Sequence, residues 1–173
     1  YIMNGHPQQL LLSLGGNEPN TEKCFRDSLH MLSSRFGNPV LLSSIYETQP
    51  WGFQASTAPF LNQLVTFHTE EEIESILEFT QSVEKMNGRK SKSSQGEYTN
   101  RTLDIDILCY GTHEVVTENL VVPHKYMHER NFILVPLKEI LPNFIHPTLK
   151  KTLKELLLST QDNLTVTLYK KIK

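Results

Sequence analysis

Apolar and polar residues recur along this chain with two different periods, which divide it into predicted strands and helices. Apolar or alternating runs at 9–14, 40–46 and 60–67 are typical of β-strands. In the third run, Phe60 and Asn62 are two residues apart and therefore share one face of the strand. Two further segments carry apolar residues three or four apart, the spacing of one face of an α-helix. The first contains Phe25, Leu29, Leu32 and Phe36, and the second contains Ile73, Ile76, Leu77, Thr80 and Val83.

The ends of both predicted helices carry residues that are common at helix boundaries. Asn20 is expected to cap the first helix, and Gly37 is expected to end it. Thr69 and Glu72 have the spacing of a capping box, which predicts that the second helix begins directly after Thr69. Gly88 is expected to end that helix.

A strand at 103–107 alternates apolar residues with Asp104 and Asp106. The period of two places both carboxylates on one face, about 7 Å apart. Aspartate is uncommon in strands, and two like charges on one face repel each other, so the pair destabilises the strand. A divalent cation such as Mg²⁺ would remove this repulsion. The simpler alternative is an edge strand whose acidic residues face solvent.

The order of these elements predicts the fold class. Two strand-helix-strand units in succession favour an α+β domain of the ferredoxin-like class, a split βαβ sandwich with helices on one face of an antiparallel sheet. Loops are predicted at 47–59 and 88–100, a brief strand near 115–116, a helix near 149–158 and a strand at 164–169.

The composition is that of one soluble globular domain, with 38% hydrophobic and 21% charged residues. Residues 8–173 are expected to form this domain, and residues 1–7 a flexible tail that includes residues ahead of a start at Met3. A net charge of −2 gives no reason to expect nucleic-acid binding. The spacing of Cys24 and Cys109 favours buried free thiols in the cytoplasm.

Three further absences complete this description. No apolar run approaches the roughly 20 residues that a membrane span needs, and no signal peptide is recognisable. No strong apolar stripe is left over once the core is assigned, so a monomer is expected.

The predicted loop before the aspartate strand is basic. It contains Arg89, Lys90, Lys92 and Arg101 against a single acid, Glu97. A charge run is usually a solvated loop. Beside two carboxylates and Mg²⁺, however, arginine forks and lysines have the composition that binds a polyphosphate.

Other polar and aromatic residues are weaker candidates when each is taken alone. Trp51, Phe60, Asn62 and Phe132 suit a flat heteroaromatic ligand, which is held by stacked rings and directional hydrogen bonds. The alternative for the two phenylalanines is core packing. Gln81, Glu84, His124 and Arg130 add polar groups that are more often structural.

Seven motifs, taken in order from about residue 10 to residue 146, closely resemble the 6-hydroxymethyl-7,8-dihydropterin pyrophosphokinase family of folate biosynthesis. The most specific is Arg-Thr-Leu-Asp-Ile-Asp-Ile-Leu at 101–108. The others are Leu-Gly-Gly-Asn at 14–17, Ile-Tyr-Glu-Thr-Gln-Pro-Trp-Gly at 45–52, Phe-Leu-Asn-Gln at 60–63, Gly-Arg at 88–89, Val-Pro-His at 122–124 and Glu-Arg-Asn-Phe-Ile-Leu-Val-Pro-Leu at 129–137.

The resemblance implies transfer of the terminal diphosphate of ATP to the pterin hydroxymethyl group, with release of AMP. It implies that Asp104 and Asp106 bind two Mg²⁺ ions, and that neither acts as a nucleophile. It assigns catalytic roles to Arg89, Arg101, Asp104 and Asp106. The implied ATP site comprises Gln81, Glu84, Arg101, His124 and Arg130, and the implied pterin site comprises Thr48, Gln49, Trp51, Phe60, Asn62 and Phe132.

One segment departs from the family pattern. Family loops often carry a second arginine after Gly-Arg, where this chain has Lys90 and Lys92 in a loop that is two residues longer. A lysine supplies a point charge in place of a guanidinium fork.

Two alternative functions would depend on the same residues. A non-catalytic RNA-binding module would use Phe60 and the basic loop as a base-stacking platform, although the acidic strand disfavours it. An Mg²⁺-dependent phosphohydrolase would use the same two aspartates without a pterin.

Overall fold

The computed structural model describes residues 6–49, 58–88 and 102–172. The helices are α1 (Thr21–Phe36), α2 (Ile73–Met86), α3 (Asn131–Ile140) and α4 (Leu153–Ser159), and a short 3₁₀ helix spans Met127–Glu129. The strands are β1 (Gln8–Gly16), β2 (Leu41–Leu42), β3 (Ile45–Thr48), β4 (Phe60–Thr69), β5 (Asp104–Tyr110), β6 (Val115–Val116), β7 (Val121–Val122) and β8 (Val166–Lys170).

Six of these strands form one antiparallel sheet in the order β5-β1-β4-β3-β8, with β2 paired to β4. Strands β6 and β7 form a separate hairpin. The strand β1 therefore lies between β4 and β5, as expected when two βαβ units interleave. The predicted ferredoxin-like α+β class is confirmed.

The core lies on both faces of the sheet, and this corrects the expectation that helices cover one face. On one face, Leu10, Leu12 and Leu14 of β1 belong to a buried cluster with residues of α1 and α2. On the other face, Leu11 belongs to a second cluster with residues of α3 and α4. Burial on two sides explains why β1 reads as a nearly continuous apolar run.

Helix α3 is an element that the sequence pattern did not predict. Pro136 lies inside it, and a proline interrupts helical hydrogen bonding because it has no N–H group. The helix forms nevertheless because Ile133, Leu134 and Leu137 are buried against the sheet. Tertiary packing therefore outweighs the local cost of the proline.

The predicted strand at 40–46 is interrupted in the structure. At the interruption, the Ser43 N–H donates to the Leu64 carbonyl, and the Ser43 hydroxyl accepts from the Leu64 N–H, each at 2.9 Å. The next residue, Ser44, donates its N–H and hydroxyl to the Glu139 carboxylate of α3 at 2.9 and 2.8 Å. In the two residues between β2 and β3, side-chain bonds therefore replace part of the regular pairing with β4.

Three predicted boundaries also shift. Thr69 is the last residue of β4 and accepts the Glu71 N–H at 3.1 Å, so the predicted capping box does not form and α2 begins at Ile73. Helix α4 begins at Leu153, where Thr152 and Glu155 form a capping box. Strand β8 begins at Val166, two residues later than expected.

Both cysteines are buried free thiols, as predicted. Burial raises the pKa of Cys109 to about 12. Within the described ranges, no helix has the length and apolar character that crossing a membrane requires. The cytoplasmic location and the monomeric state stay predictions from the sequence.

Candidate active site

A cavity of about 580 Å³ opens at the end of the sheet where β1 and β3 finish and where β4 and β5 begin. On the face toward α3, the three neighbouring strands β5, β1 and β4 change from apolar to polar residues at this end. Buried Leu11, Leu64 and Leu108 belong to the core, whereas Ser13, Asn62 and Asp106 on the same strands line the cavity. The period of two in each strand therefore builds the polar floor of the cavity.

The strand register aligns the floor residues in rows. Gly15 of β1 lies between Asn62 of β4 and Asp104 of β5, and Ser13 lies beside Asp106. A Cβ atom at position 15 would lie 3.2 Å from the Asn62 Oδ1 atom. Glycine therefore leaves room for the Asn62 amide between the two strands.

Opposite this floor, the cavity is closed by residues of the 3₁₀ helix, the start of α3 and the segment before β8. These residues are Tyr126, Glu129, Arg130, Phe132, Gln161, Asp162 and Leu164. The helix α3 begins only at Asn131, so it leaves this end of the sheet uncovered.

The structure brings together most of the predicted site residues. Eight of them line the cavity: Thr48, Gln49, Phe60, Asn62, Asp104, Asp106, Arg130 and Phe132. Asn62 and Thr48 are buried, and Asp106 is exposed. The predicted site residues Trp51, Arg89 and Arg101 lie outside the described residues, as do Lys90 and Lys92.

Three predicted ATP-site residues do not line the cavity. Gln81 and Glu84 lie on α2, beneath the edge strand β5. The Glu84 carboxylate is buried and accepts the Ile105 N–H at 2.7 Å. Because Ile105 lies between the two aspartates, this bond fixes the backbone that carries them.

His124 lies behind the cavity wall. Its backbone N–H donates to the Leu108 carbonyl at 2.8 Å, and its imidazole Nδ1 accepts the Tyr126 backbone N–H at 3.3 Å. Burial is the main reason that the pKa of His124 is lowered. The negative charge of Asp106 raises this pKa, and the positive charge of Arg130 lowers it. The neutral imidazole is therefore favoured, with its proton on Nε2 because Nδ1 is an acceptor.

Arg130 is held between two aromatic rings. Its guanidinium carbon lies 5.3 Å from the centre of the Tyr126 ring and 5.5 Å from the centre of the Phe132 ring. Cation–π contacts of this kind restrain the guanidinium without neutralising it. Sequence reasoning did not single out Tyr126.

In the cavity wall, the buried Thr48 hydroxyl forms no hydrogen bond with any residue of the described ranges. Most buried polar groups are paired, and Thr48 lies one residue before the end of a described range.

A second cavity of about 530 Å³ lies near the opposite ends of β1 and β5, beside Gln9 and Cys109. The residues that line it include no Asp or Glu. The chemistry expected of the aspartate pair therefore belongs to the first cavity.

Comparison with known proteins identifies the family. The model of the family described as 7,8-dihydro-6-hydroxymethylpterin-pyrophosphokinase (HPPK) matches residues 11–142. The chain belongs to this family. The resemblance carried by the ordered motifs is thereby confirmed.

Two bacterial relatives are named 2-amino-4-hydroxy-6-hydroxymethyldihydropteridine pyrophosphokinase. The relative from Porphyromonas gingivalis is 40% identical over 137 residues, which cover 79% of this chain and 92% of that protein. The relative from Bacillus subtilis is 38% identical over 130 residues, which cover 75% of each chain.

Solved structures of Plasmodium falciparum HPPK-DHPS share the fold. A triple mutant with SDX-DHP has a TM-score of 0.69 and 16% identity, and the match covers 88% of this chain. It covers 44% of the Plasmodium chain, so this chain spans less than half of that protein. At this identity the likeness concerns the fold alone.

The family match runs from β1 to the end of α3, and it includes neither β8 nor the whole cavity wall. Gln161, Asp162 and Leu164 line the cavity and lie beyond residue 142. Sequence reasoning missed these three residues, along with Ser13, Gly15 and Glu129. The motif at 14–17 was a signal for Gly15, whereas no motif marked the C-terminal segment.

Proposed function

We propose that this chain transfers the terminal diphosphate of ATP to the hydroxymethyl group of 6-hydroxymethyl-7,8-dihydropterin, releasing AMP, as a step of folate biosynthesis. Family membership supports this activity. The observation that carries the proposal is that one cavity contains both an aromatic pair with a buried amide and a pair of carboxylates. A flat acceptor and a metal-bound polyphosphate need these two sets of groups side by side.

The acceptor half of the cavity consists of Thr48, Gln49, Phe60, Asn62 and Phe132. The buried Asn62 amide offers both a donor and an acceptor, which matches the alternating edge of a pterin. Phe60 and Phe132 approach from the sheet and from α3, and they supply the ring faces for stacking. Trp51 is proposed for the same site by family resemblance.

The nucleotide half centres on Asp104 and Asp106, which share one strand face. In the described ranges, no group of three or more His, Cys, Asp or Glu residues is arranged to hold a metal ion. Two carboxylates alone still fit Mg²⁺, because this ion usually takes one or two carboxylates and completes its shell with phosphates and water. Two such ions, when bound, would neutralise the polyphosphate and align the reacting oxygens.

The remaining groups position the nucleotide. Arg130 presents a restrained positive charge at the cavity wall, and His124 is proposed to contribute to the ATP site from behind that wall. Gln81 and Glu84 are proposed to contribute to the ATP site from α2. Arg89 and Arg101 are proposed as catalytic cations by resemblance, because arginine forks bind phosphate oxygens well.

In the proposed reaction, the pterin hydroxyl oxygen attacks the β-phosphorus of ATP. The bond from that phosphorus to the α,β-bridging oxygen breaks, AMP leaves, and the hydroxyl proton passes to solvent. The aspartates stay unmodified because positioning and charge neutralisation dominate this class of transfer.

The assay that tests this function measures AMP from ATP with and without the dihydropterin. We expect AMP and pterin diphosphate in equal amounts, no AMP without the pterin, and loss of activity with EDTA that added Mg²⁺ restores. Phosphate release from ATP alone would contradict the proposal and favour a phosphohydrolase. Salt-sensitive RNA binding without turnover would favour the RNA-binding module.

Replacing Asn62 with leucine should weaken pterin binding selectively. Leucine has a similar volume but no hydrogen-bonding groups, so the KM for the pterin should rise about 10- to 100-fold while the KM for ATP changes little. Steady-state kinetics with each substrate varied in turn checks this outcome. The matched control is His68→Ala on the exposed part of the same strand. Equal pterin KM values in the two variants would refute the role of Asn62.

A further inference from the structure

The segment 160–166, which we call the strap, crosses one side of the cavity between α4 and β8. At one end, the Thr160 hydroxyl donates to the Glu129 carbonyl at 3.0 Å. At the other end, Val166 pairs with Thr48 at the end of β3. The strap therefore joins the start of α3 to the strand that carries Thr48.

Asp162 accepts two hydrogen bonds from Asn131 of α3 and a third from within the strap. Its Oδ2 accepts the Asn131 N–H at 2.7 Å, and its carbonyl accepts the Asn131 Nδ2–H at 2.7 Å. Its Oδ1 accepts the Leu164 N–H at 2.9 Å. A carboxylate at the first N–H of a helix is also favoured by the helix dipole.

The two bonds to Asn131 lie between two residues that are predicted to contact the substrates. Asn131 lies between Arg130 and Phe132, both of which line the cavity. Fixing both the backbone and the side-chain amide of Asn131 restrains the direction in which its two neighbours point. Through Asn131, Asp162 therefore restrains the positions of the Arg130 guanidinium and of the Phe132 ring.

The strap also contributes surface of its own to the cavity. Gln161, Asp162 and Leu164 line it, whereas Asn163 between them is exposed and does not. Leu164 is half-buried and offers the apolar contact among these three. Because the strap ends at Thr48, this contact lies on the acceptor half of the cavity.

We infer that the strap is a substrate-positioning wall, in which Leu164 contacts the pterin and Asp162 positions Arg130 and Phe132 through Asn131. This inference rests on the proposed function, since it assigns the pterin as the group that Leu164 touches. It adds residues from a part of the chain that the family match does not cover.

The kinetic test compares Leu164→Ala and Asp162→Ala with the matched control Asn163→Ala. Leu164→Ala should raise the KM for the pterin about tenfold, with kcat and the KM for ATP nearly unchanged. Asp162→Ala should raise the KM for both substrates, because it releases Arg130 as well as Phe132. Leu164→Met conserves volume and should restore the pterin KM to within about threefold of the wild type.

Thermal unfolding of each variant shows whether the protein is folded at the assay temperature. A pterin KM for Leu164→Ala equal to that of Asn163→Ala would overturn the contact. An Asp162→Ala variant that is folded and kinetically normal would overturn the positioning role. Wild-type protein without pterin-dependent AMP formation would instead overturn the proposed function, and the inference with it.

Discussion

Replacing Asp106 with alanine should abolish AMP formation while the protein stays folded. Asp106 is exposed in the cavity beside Ser13, so its loss removes a carboxylate from the site and little from the core. Stabilisation of phosphoryl charge by a metal ion is worth several kcal/mol, which corresponds to a fall in kcat of about 10³-fold or more. The free energy of unfolding should change by less than about 0.5 kcal/mol, as is usual for exposed sites.

Two further variants test whether activity depends on the charge of Asp106 in particular. Asp106→Asn keeps the shape of the side chain and removes its charge, so it should be nearly as inactive as alanine. Glu114→Ala removes an exposed acid from the turn after β5 and should leave activity unchanged. Retention of AMP formation by Asp106→Ala, measured across a range of Mg²⁺ concentrations, would refute a metal-binding role for this residue.

Replacing Glu84 with alanine should destabilise the protein by about 2–3 kcal/mol, because hydrogen bonds to charged groups are worth this much and the Ile105 N–H would lose its partner. The Glu84 side chain is 6% exposed, and its bond to that N–H is 2.7 Å long. For a chain of this size, the midpoint of thermal unfolding should fall by about 4–12 °C. Activity should fall as well, because Ile105 lies between Asp104 and Asp106.

Glutamine at position 84 distinguishes a structural role from contact with ATP. Glu84→Gln keeps an oxygen that can accept the Ile105 N–H, so it should unfold closer to the wild-type midpoint than Glu84→Ala. Glu78→Ala, at an exposed acid of the same helix, controls for changes to the helix. If Glu84→Ala unfolded at the wild-type temperature and only its KM for ATP rose, the direct ATP contact predicted from the family would be favoured instead.

The cavity floor was largely predictable because it depends on local periodicity. Phe60 and Asn62 were expected on one face of a strand, and Asp104 and Asp106 on one face of another. Both pairs line the cavity. A period of two follows from backbone geometry, so it survives whatever the strands pair with.

The opposite wall was less predictable because its position depends on packing. Arg130 and Phe132 were recognised by family resemblance, but α3 was not predicted because Pro136 obscured its helical pattern. Neither Asp162 nor Leu164 carried a signal of a role in the site, although a strand was predicted from residue 164. Their place beside the start of α3 follows from bonds between residues about 30 positions apart.

The sequence alone determined which residue types could do the chemistry, the alternation that puts them on common strand faces, and the family to which the chain belongs. Only the tertiary structure decided that Gly15 separates Asn62 from Asp104, that Glu84 supports the aspartate strand, and that residues 160–166 complete the cavity. The physical reason is the range of the interactions. Side-chain alternation is fixed by each strand's own backbone, whereas strand register and the docking of distant segments depend on contacts that form only when the whole core is packed.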